Sequence, residues 1–293
     1  GVFPAAFLAC LEEDLKGRPI GEYFDLIVGT STGGIIALAL GLGFSAKDIL
    51  QFYEELGPEV FPTQNRLMRY IRKIKGPLYD NAPLEAILRK KFGDLALGNS
   101  KTRLVIPSYN YKQSEVHIYK TAHNERFKND YKRKAVEVCL ATSAAPTYFP
   151  VFSGTHGQPL IDGGIFANNP TSLAIIEALT VLNWTQEELF VLSLGCTQYA
   201  IPETPWYAKY LPGGLVDWGP KVPDLFMQGQ AAVSHSTATL LLGRNKEKLL
   251  RYSPNVAYGR FELDKVNRIN ELRGLGYSEA RKAQPDIEKV FFQ

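Results

Sequence analysis

Residues 24–42 read Phe-Asp-Leu-Ile-Val-Gly-Thr-Ser-Thr-Gly-Gly-Ile-Ile-Ala-Leu-Ala-Leu-Gly-Leu. A short β-rich apolar run over 24–28 meets a glycine, and an apolar, helix-length run over 33–42 follows directly on the turn. This order predicts a buried strand, a tight turn and a buried helix. The turn itself, Gly29-Thr30-Ser31-Thr32-Gly33, matches G-x-S-x-G, in which a serine on a strand-to-helix turn projects its hydroxyl into a site. Small flanking residues permit the turn, and the N-terminal end of the following helix favours negative charge developing nearby. Ser31 is therefore a candidate nucleophile, with Gly29, Gly33 and Gly34 shaping its elbow. A glycine turn with a capping serine has the same pattern, so the assignment needs a base.

The chain on either side extends the alternation. Pro4 suits the first turn of a helix that continues through Ala5, Ala6, Leu8, Ala9 and Leu11 and ends before Gly17. Helices are expected over 46–56, 83–92, 136–145 and 172–182, and strands over 104–106, 116–119 and 188–194. Strands alternating with helices imply an α/β fold of three layers, α/β/α, with a mainly parallel central sheet covered on both faces. No linker, repeat or low-complexity stretch divides residues 1–293, which are read as a single domain.

Composition narrows the function classes. The chain is 45% hydrophobic and 22% charged, as soluble globular proteins are, and its net charge of +3 is too small for a nucleic acid polymer as main partner. Cys10, Cys139 and Cys196 lack metal-ligand spacing and read as reduced thiols in a reducing compartment. The longest apolar run, around residues 34–44, is too short to span a bilayer.

A serine hydroxyl needs a base, and the histidines are His117, His123, His156 and His235. Asp162 with His235 fits the acid-then-histidine order of an α/β-hydrolase triad. His235, however, lies in a helix-length segment over 231–242 without a loop signal to present a catalytic ring. Asp162 alone is the better candidate. It follows Pro159-Leu160-Ile161 at a strand end, and Gly163-Gly164 behind it allow close backbone approach. A carboxylate can serve as base if hydrogen bonds hold it at contact distance from Ser31 in a site that excludes water.

Three separated blocks carry a resemblance: Gly29-Thr30-Ser31-Thr32-Gly33-Gly34, the run Ala-Thr-Ser-Ala-Ala-Pro-Thr-Tyr-Phe-Pro over 141–150, and Asp162-Gly163-Gly164 with Asn168-Asn169-Pro170. Ser193-Leu194-Gly195 is a weaker fourth. In these blocks the chain resembles the patatin-like phospholipases, serine lipid acyl hydrolases that use a Ser/Asp dyad, the bacterial members more than the plant ones. The resemblance implies Ser31 as nucleophile, Asp162 as base, an acyl-enzyme intermediate and no metal or other cofactor. It also implies a glycine-rich oxyanion loop just upstream of Gly1, outside the given residues. The expectation for that loop is that it orders when a resting enzyme is activated.

The implied substrate is a phospholipid or other acyl lipid, met peripherally at a membrane surface from the cytoplasm. Arg66, Arg69 and Lys73 fall on one face of the basic, amphipathic run 66–75, which suits an anionic lipid surface. The aromatic stretch 205–218 borders either the acyl site or a subunit contact. Some bacterial members act in antiviral defence and are switched on by a cyclic nucleotide, so such an activator and a homo-oligomer are further expectations. An esterase, thioesterase or acyltransferase acting on a soluble substrate, or a non-catalytic storage or binding protein, stays open on the motifs alone.

Overall fold

The computed structural model describes residues 1–15, 17–62, 76–154, 157–200, 221–245, 247–261, 264 and 266–292. The expectations for Arg66, Arg69, Lys73, His156 and the aromatic stretch 205–218 lie outside the described residues. The predicted strand, turn and helix form β1 (Leu26–Val28) and α2 (Thr32–Gly41), preceded by α1 (Val2–Glu12) and followed by α3 (Ala46–Val60) and α4 (Ala82–Phe92). Then come β2 (Arg103–Asn110), β3 (Glu115–Lys120), α5 (Ala135–Thr142), β4 (Phe152–Ser153), β5 (Pro159–Asp162), the short α6 (Gly164–Ala167) and α7 (Thr171–Thr180). The chain closes with β6 (Val191–Leu194), α8 (Val222–Leu241), β7 (Leu249–Tyr252) and α9 (Ile269–Phe291).

The long strand β2 organises the sheet. One of its edges pairs with β3, and the other is shared: β1 runs parallel to it along Arg103–Val105, and β5 runs antiparallel along Ser108–Asn110. The C-terminal ends of β1 and β5 therefore point at each other across Ile106 and Pro107. Pro107 has no N–H to offer a neighbouring strand, so the ladder with β1 cannot continue past it. The same proline argues against a strand in the sequence, yet β2 runs on to Asn110 because its other edge stays paired to β3.

The α/β class holds, and the expectation of a mainly parallel sheet is corrected. Among the described residues β1–β2 and β6–β7 are parallel, while β2–β3, β2–β5 and β4–β5 are antiparallel. The short connections from β2 to β3 and from β4 to β5 need no crossover helix, and helical alternation in the sequence is blind to them.

Leu104 and Ile106 of β2 join a large buried cluster with α1, α2, α3, α5 and α9 on one face. Ile175, Ala178, Ala238 and Leu242 of α7, α8 and the residue after it form a smaller cluster on the other. Helix α1 is buried on all sides from Val2 to Leu11, which makes it a core helix rather than an amphipathic one. It packs against α3 and α9, and α9 meets it with a stripe of Gly276, Ala280, Ala283 and Ile287. A Cβ at Gly276 would lie 2.7 Å from Ala6 Cβ and 2.8 Å from the Phe3 carbonyl oxygen. Gly276→Val is expected to destabilise the protein by about 1–3 kcal/mol through overpacking of this crossing. A lowered denaturant midpoint checks this, and an unchanged midpoint would contradict it.

Candidate active site

Ser31 occupies the junction of β1 and α2 at φ 58°, ψ −127°, a conformation that L-residues rarely hold. The surroundings over-determine it. The Ser31 carbonyl accepts from the N–H groups of Gly34 at 2.9 Å and Ile35 at 3.2 Å. The Ser31 N–H donates to Thr142 Oγ1 at 3.0 Å, and the Thr142 hydroxyl donates to the Pro107 carbonyl at 2.6 Å. Thr142 thus ties the elbow to Pro107, one of the two residues of β2 that pair with neither β1 nor β5.

The glycines of the elbow do different things. A Cβ on Gly29 would sit 2.1 Å from the Gly33 carbonyl oxygen, so the turn closes only with glycine there. Gly34 lies under Thr142, whose methyl would be 2.9 Å from a Cβ. Gly33 is different: a Cβ there would meet nothing within 4 Å, so no close contact demands this glycine. Thr32 opens α2, where an N–H group has no acceptor within the helix and remains available to an anion. The Tyr53 hydroxyl fixes the adjoining peptide by donating to the Thr32 carbonyl at 2.6 Å.

Asp162 ends β5, paired with Ser108, and stands in front of Ser31. The Ser31 hydroxyl donates to Asp162 Oδ2 at 2.5 Å, and the Gly164 N–H donates to Oδ1 at 2.7 Å. Asp162 is only 6% exposed. Burial pushes its pKa up from 3.8 to about 6, against the pull of the hydrogen bonds from Ser31 and Gly164. Gly163 permits the approach, since a Cβ there would fall 2.4 Å from the Pro107 carbonyl oxygen. At neutral pH the carboxylate is mostly ionised and more basic than an exposed one, which suits proton removal from a hydroxyl.

No described histidine is bonded to the Ser31 hydroxyl. His123 is held between Thr121 at 2.8 Å and Glu177 at 2.9 Å, and His117 lies on β3 against the Tyr119 ring. His235, on α8, lines the same cavity as Ser31. Thr142 and Tyr53 were not singled out from the sequence. Thr142 ends a helix that also carries Glu137, so its hydroxyl does not stand out there, and Tyr53 carried no signal either.

The Patatin-like phospholipase family profile matches residues 1–175, which is more than half of the chain and includes the elbow and the Asp162 block. The chain belongs to the patatin-like phospholipase family. It is 32% identical over 290 residues to a protein of Pseudomonas aeruginosa (strain BWHPSA011 / Pa011) named "cGAMP-activated phospholipase", covering 98% of this chain and 86% of that one. An Escherichia coli (strain TW11681) protein of the same name is 33% identical over 233 residues, 75% of this chain and 65% of that one. "Patatin-like protein 1" of Arabidopsis thaliana is 33% identical over 321 residues, covering 94% and 77%. As a patatin-like phospholipase the chain is a lipid ester hydrolase.

The raised pKa sets a stability consequence for this patatin-like protein. Between about pH 4 and pH 6 the native state keeps a proton on Asp162 that the unfolded chain releases, so stability falls as pH rises through that window and stays lower above it. Asp162→Asn is expected to unfold at a higher temperature than wild type at neutral pH, by the equivalent of about 1–3 kcal/mol, with the gain vanishing below about pH 4. Lipid ester hydrolysis should be lost in the same variant. Equal or lower stability of Asp162→Asn at neutral pH would contradict the assignment of a desolvated carboxylate.

Proposed function

We propose that this chain is a serine acyl hydrolase that cleaves fatty acyl esters of membrane phospholipids through Ser31 and Asp162. The observation that carries the reading is the 2.5 Å hydrogen bond from the Ser31 hydroxyl to Asp162 Oδ2. Asp162 accepts the Ser31 proton as Oγ adds to the acyl carbonyl. The Thr32 N–H, at the head of α2, faces the developing oxyanion together with the positive end of the helix. The intermediate collapses, the acyl C–O bond breaks, and the lysolipid oxygen leaves with the proton held by Asp162. Water then gives a proton to Asp162, adds to the acyl-serine, and the fatty acid departs as Ser31 recovers its proton.

A phospholipid substrate lies in a lipid surface, so the enzyme of this reading works peripherally on membranes. The bacterial relatives named as cGAMP-activated phospholipases support a cyclic dinucleotide as activator of this chain as well.

Ser31→Ala should lower fatty acid release from phospholipid vesicles by at least about a thousandfold while leaving the thermal midpoint within a few degrees. Mass spectrometry of the released lipids reads the outcome, and activity surviving in Ser31→Ala would remove the proposed nucleophile. For wild type, added cGAMP is expected to raise the rate on the same vesicles, and an identical rate with and without it would reject the activator.

A further inference from the structure

The Ser193-Leu194-Gly195 block has no part in the chemistry at Ser31, yet its side chains and gaps converge on one cation. Ser193 of β6 stands opposite Arg251 of β7, and Arg251 Nη1 donates to Ser193 Oγ at 2.7 Å. Ser193 Oγ is bonded in turn to Thr171 Oγ1 at 2.7 Å, and Thr171 Oγ1 to Asn169 Oδ1 at 2.5 Å. Asn169 Nδ2 donates to the Ala231 carbonyl of α8 at 3.1 Å. The arginine is thus braced, through buried hydroxyls, on the segment that directly follows Asp162. Gly195 makes room for it: a Cβ there would lie 3.1 Å from Arg251 Nη2 and 2.5 Å from Ser253 Oγ.

What this framework holds is a cation. Arg251 is half-buried and lines the cavity that also holds Ser31. Among the described residues no carboxylate forms an ion pair with it. Asp224, on the cavity side of α8, is next to the Tyr199 hydroxyl instead. Burial disfavours the guanidinium charge, and the nearby His235 ring is held towards its neutral form by burial first and by Arg251 second. Gln228 Nε2, also on a residue lining this cavity, has no acceptor. A half-buried guanidinium that faces a cavity favours the arrival of an anion there, because it stays charged and carries five N–H donors. A planar, forked donor set matches phosphate oxygens better than any other common biological anion except carboxylate.

We propose that Arg251, braced by Ser193 in the cavity shared with Ser31, is the binding residue for a phosphodiester. The inference rests on the hydrolase reading for its substrate arm only. A phosphodiester reaches this cavity from two sources, the head group of a phospholipid whose acyl ester is at Ser31, or a cyclic dinucleotide.

The test compares wild type, Arg251→Gln and the charge-preserving Arg251→Lys. Calorimetric titration with glycerophosphocholine, which has a phosphodiester and no acyl ester, and separately with cGAMP, reads binding. Hydrolysis of monomeric dihexanoylphosphatidylcholine and of dihexanoylglycerol, with the same acyl chains and no phosphate in the second, reads use. Arg251→Gln should weaken glycerophosphocholine about tenfold or more and raise KM for the phosphatidylcholine similarly, with dihexanoylglycerol unchanged within about twofold and partial recovery in Arg251→Lys. Loss of cGAMP binding in place of glycerophosphocholine binding assigns the same site to the activator. Unchanged binding of both phosphodiesters, or equal loss on both esters together with a lowered thermal midpoint, would overturn the proposal. If wild type hydrolyses neither ester, the hydrolase reading fails while the two titrations still decide this one.

Discussion

The Pro107 carbonyl, the Thr142 hydroxyl and the Ser31 N–H form one short chain of hydrogen bonds, 2.6 Å and 3.0 Å long, and the rest of the site depends on it. Two strands converge on the same edge of β2 from opposite directions, and a proline stands where neither can pair. In an ordinary sheet such a gap leaves backbone polar groups unsatisfied. Here the Thr142 side chain ties the end of β1 to Pro107, and, two residues on, the Ala144 carbonyl accepts from the Asp162 N–H at 3.0 Å, so the ends of β1 and β5 are fixed close together. That convergence puts Ser31 and Asp162, 131 positions apart in the chain, at hydrogen-bond distance.

The geometry also explains why two unfavourable features persist. Ser31 has a left-handed backbone, and Asp162 has a carboxylate almost wholly out of water; each costs stability on the order of 1–3 kcal/mol. Both are held by a core that the reaction does not touch. Helix α1, buried throughout, is wedged between α3 and α9, and Tyr53 of α3 reaches from that core to the Thr32 carbonyl. In the proposed reading the strained serine and the desolvated acid supply what acyl transfer needs: a half-buried hydroxyl at a helix N-terminus, and a base stronger than a solvated carboxylate.

The elbow was legible because its information is local. A strand of β-rich residues, a glycine that the turn's own backbone demands and an apolar helix all lie within residues 24–42. Asp162 was legible for the same reason, as a strand end before two glycines. The sheet was not. Pro107 hides the second half of β2, whose pairing is supplied by β3 and β5, and β4 and β7 are too short for a periodicity to declare them. Pro58 and Pro285 sit inside α3 and α9, where tertiary packing overrides the local preference of proline. Thr142 and Tyr53 act through contacts with residues far away in the chain, and nothing in their own neighbourhoods announces it. Arg251 belongs to the same class, visible only once β6 and β7 are paired.

The claim on which this account turns is that Asp162 is the base for Ser31 without a histidine between them. The most direct measurement is the pH dependence of inactivation by a fluorophosphonate, with the modified residue located by peptide mass spectrometry. The account predicts phosphonylation at Ser31, at a rate that rises through a single step near pH 6, as the pKa of about 6 for Asp162 requires. A label on another residue, or a Ser31 rate unchanged when Asp162 is replaced by Asn, would contradict it.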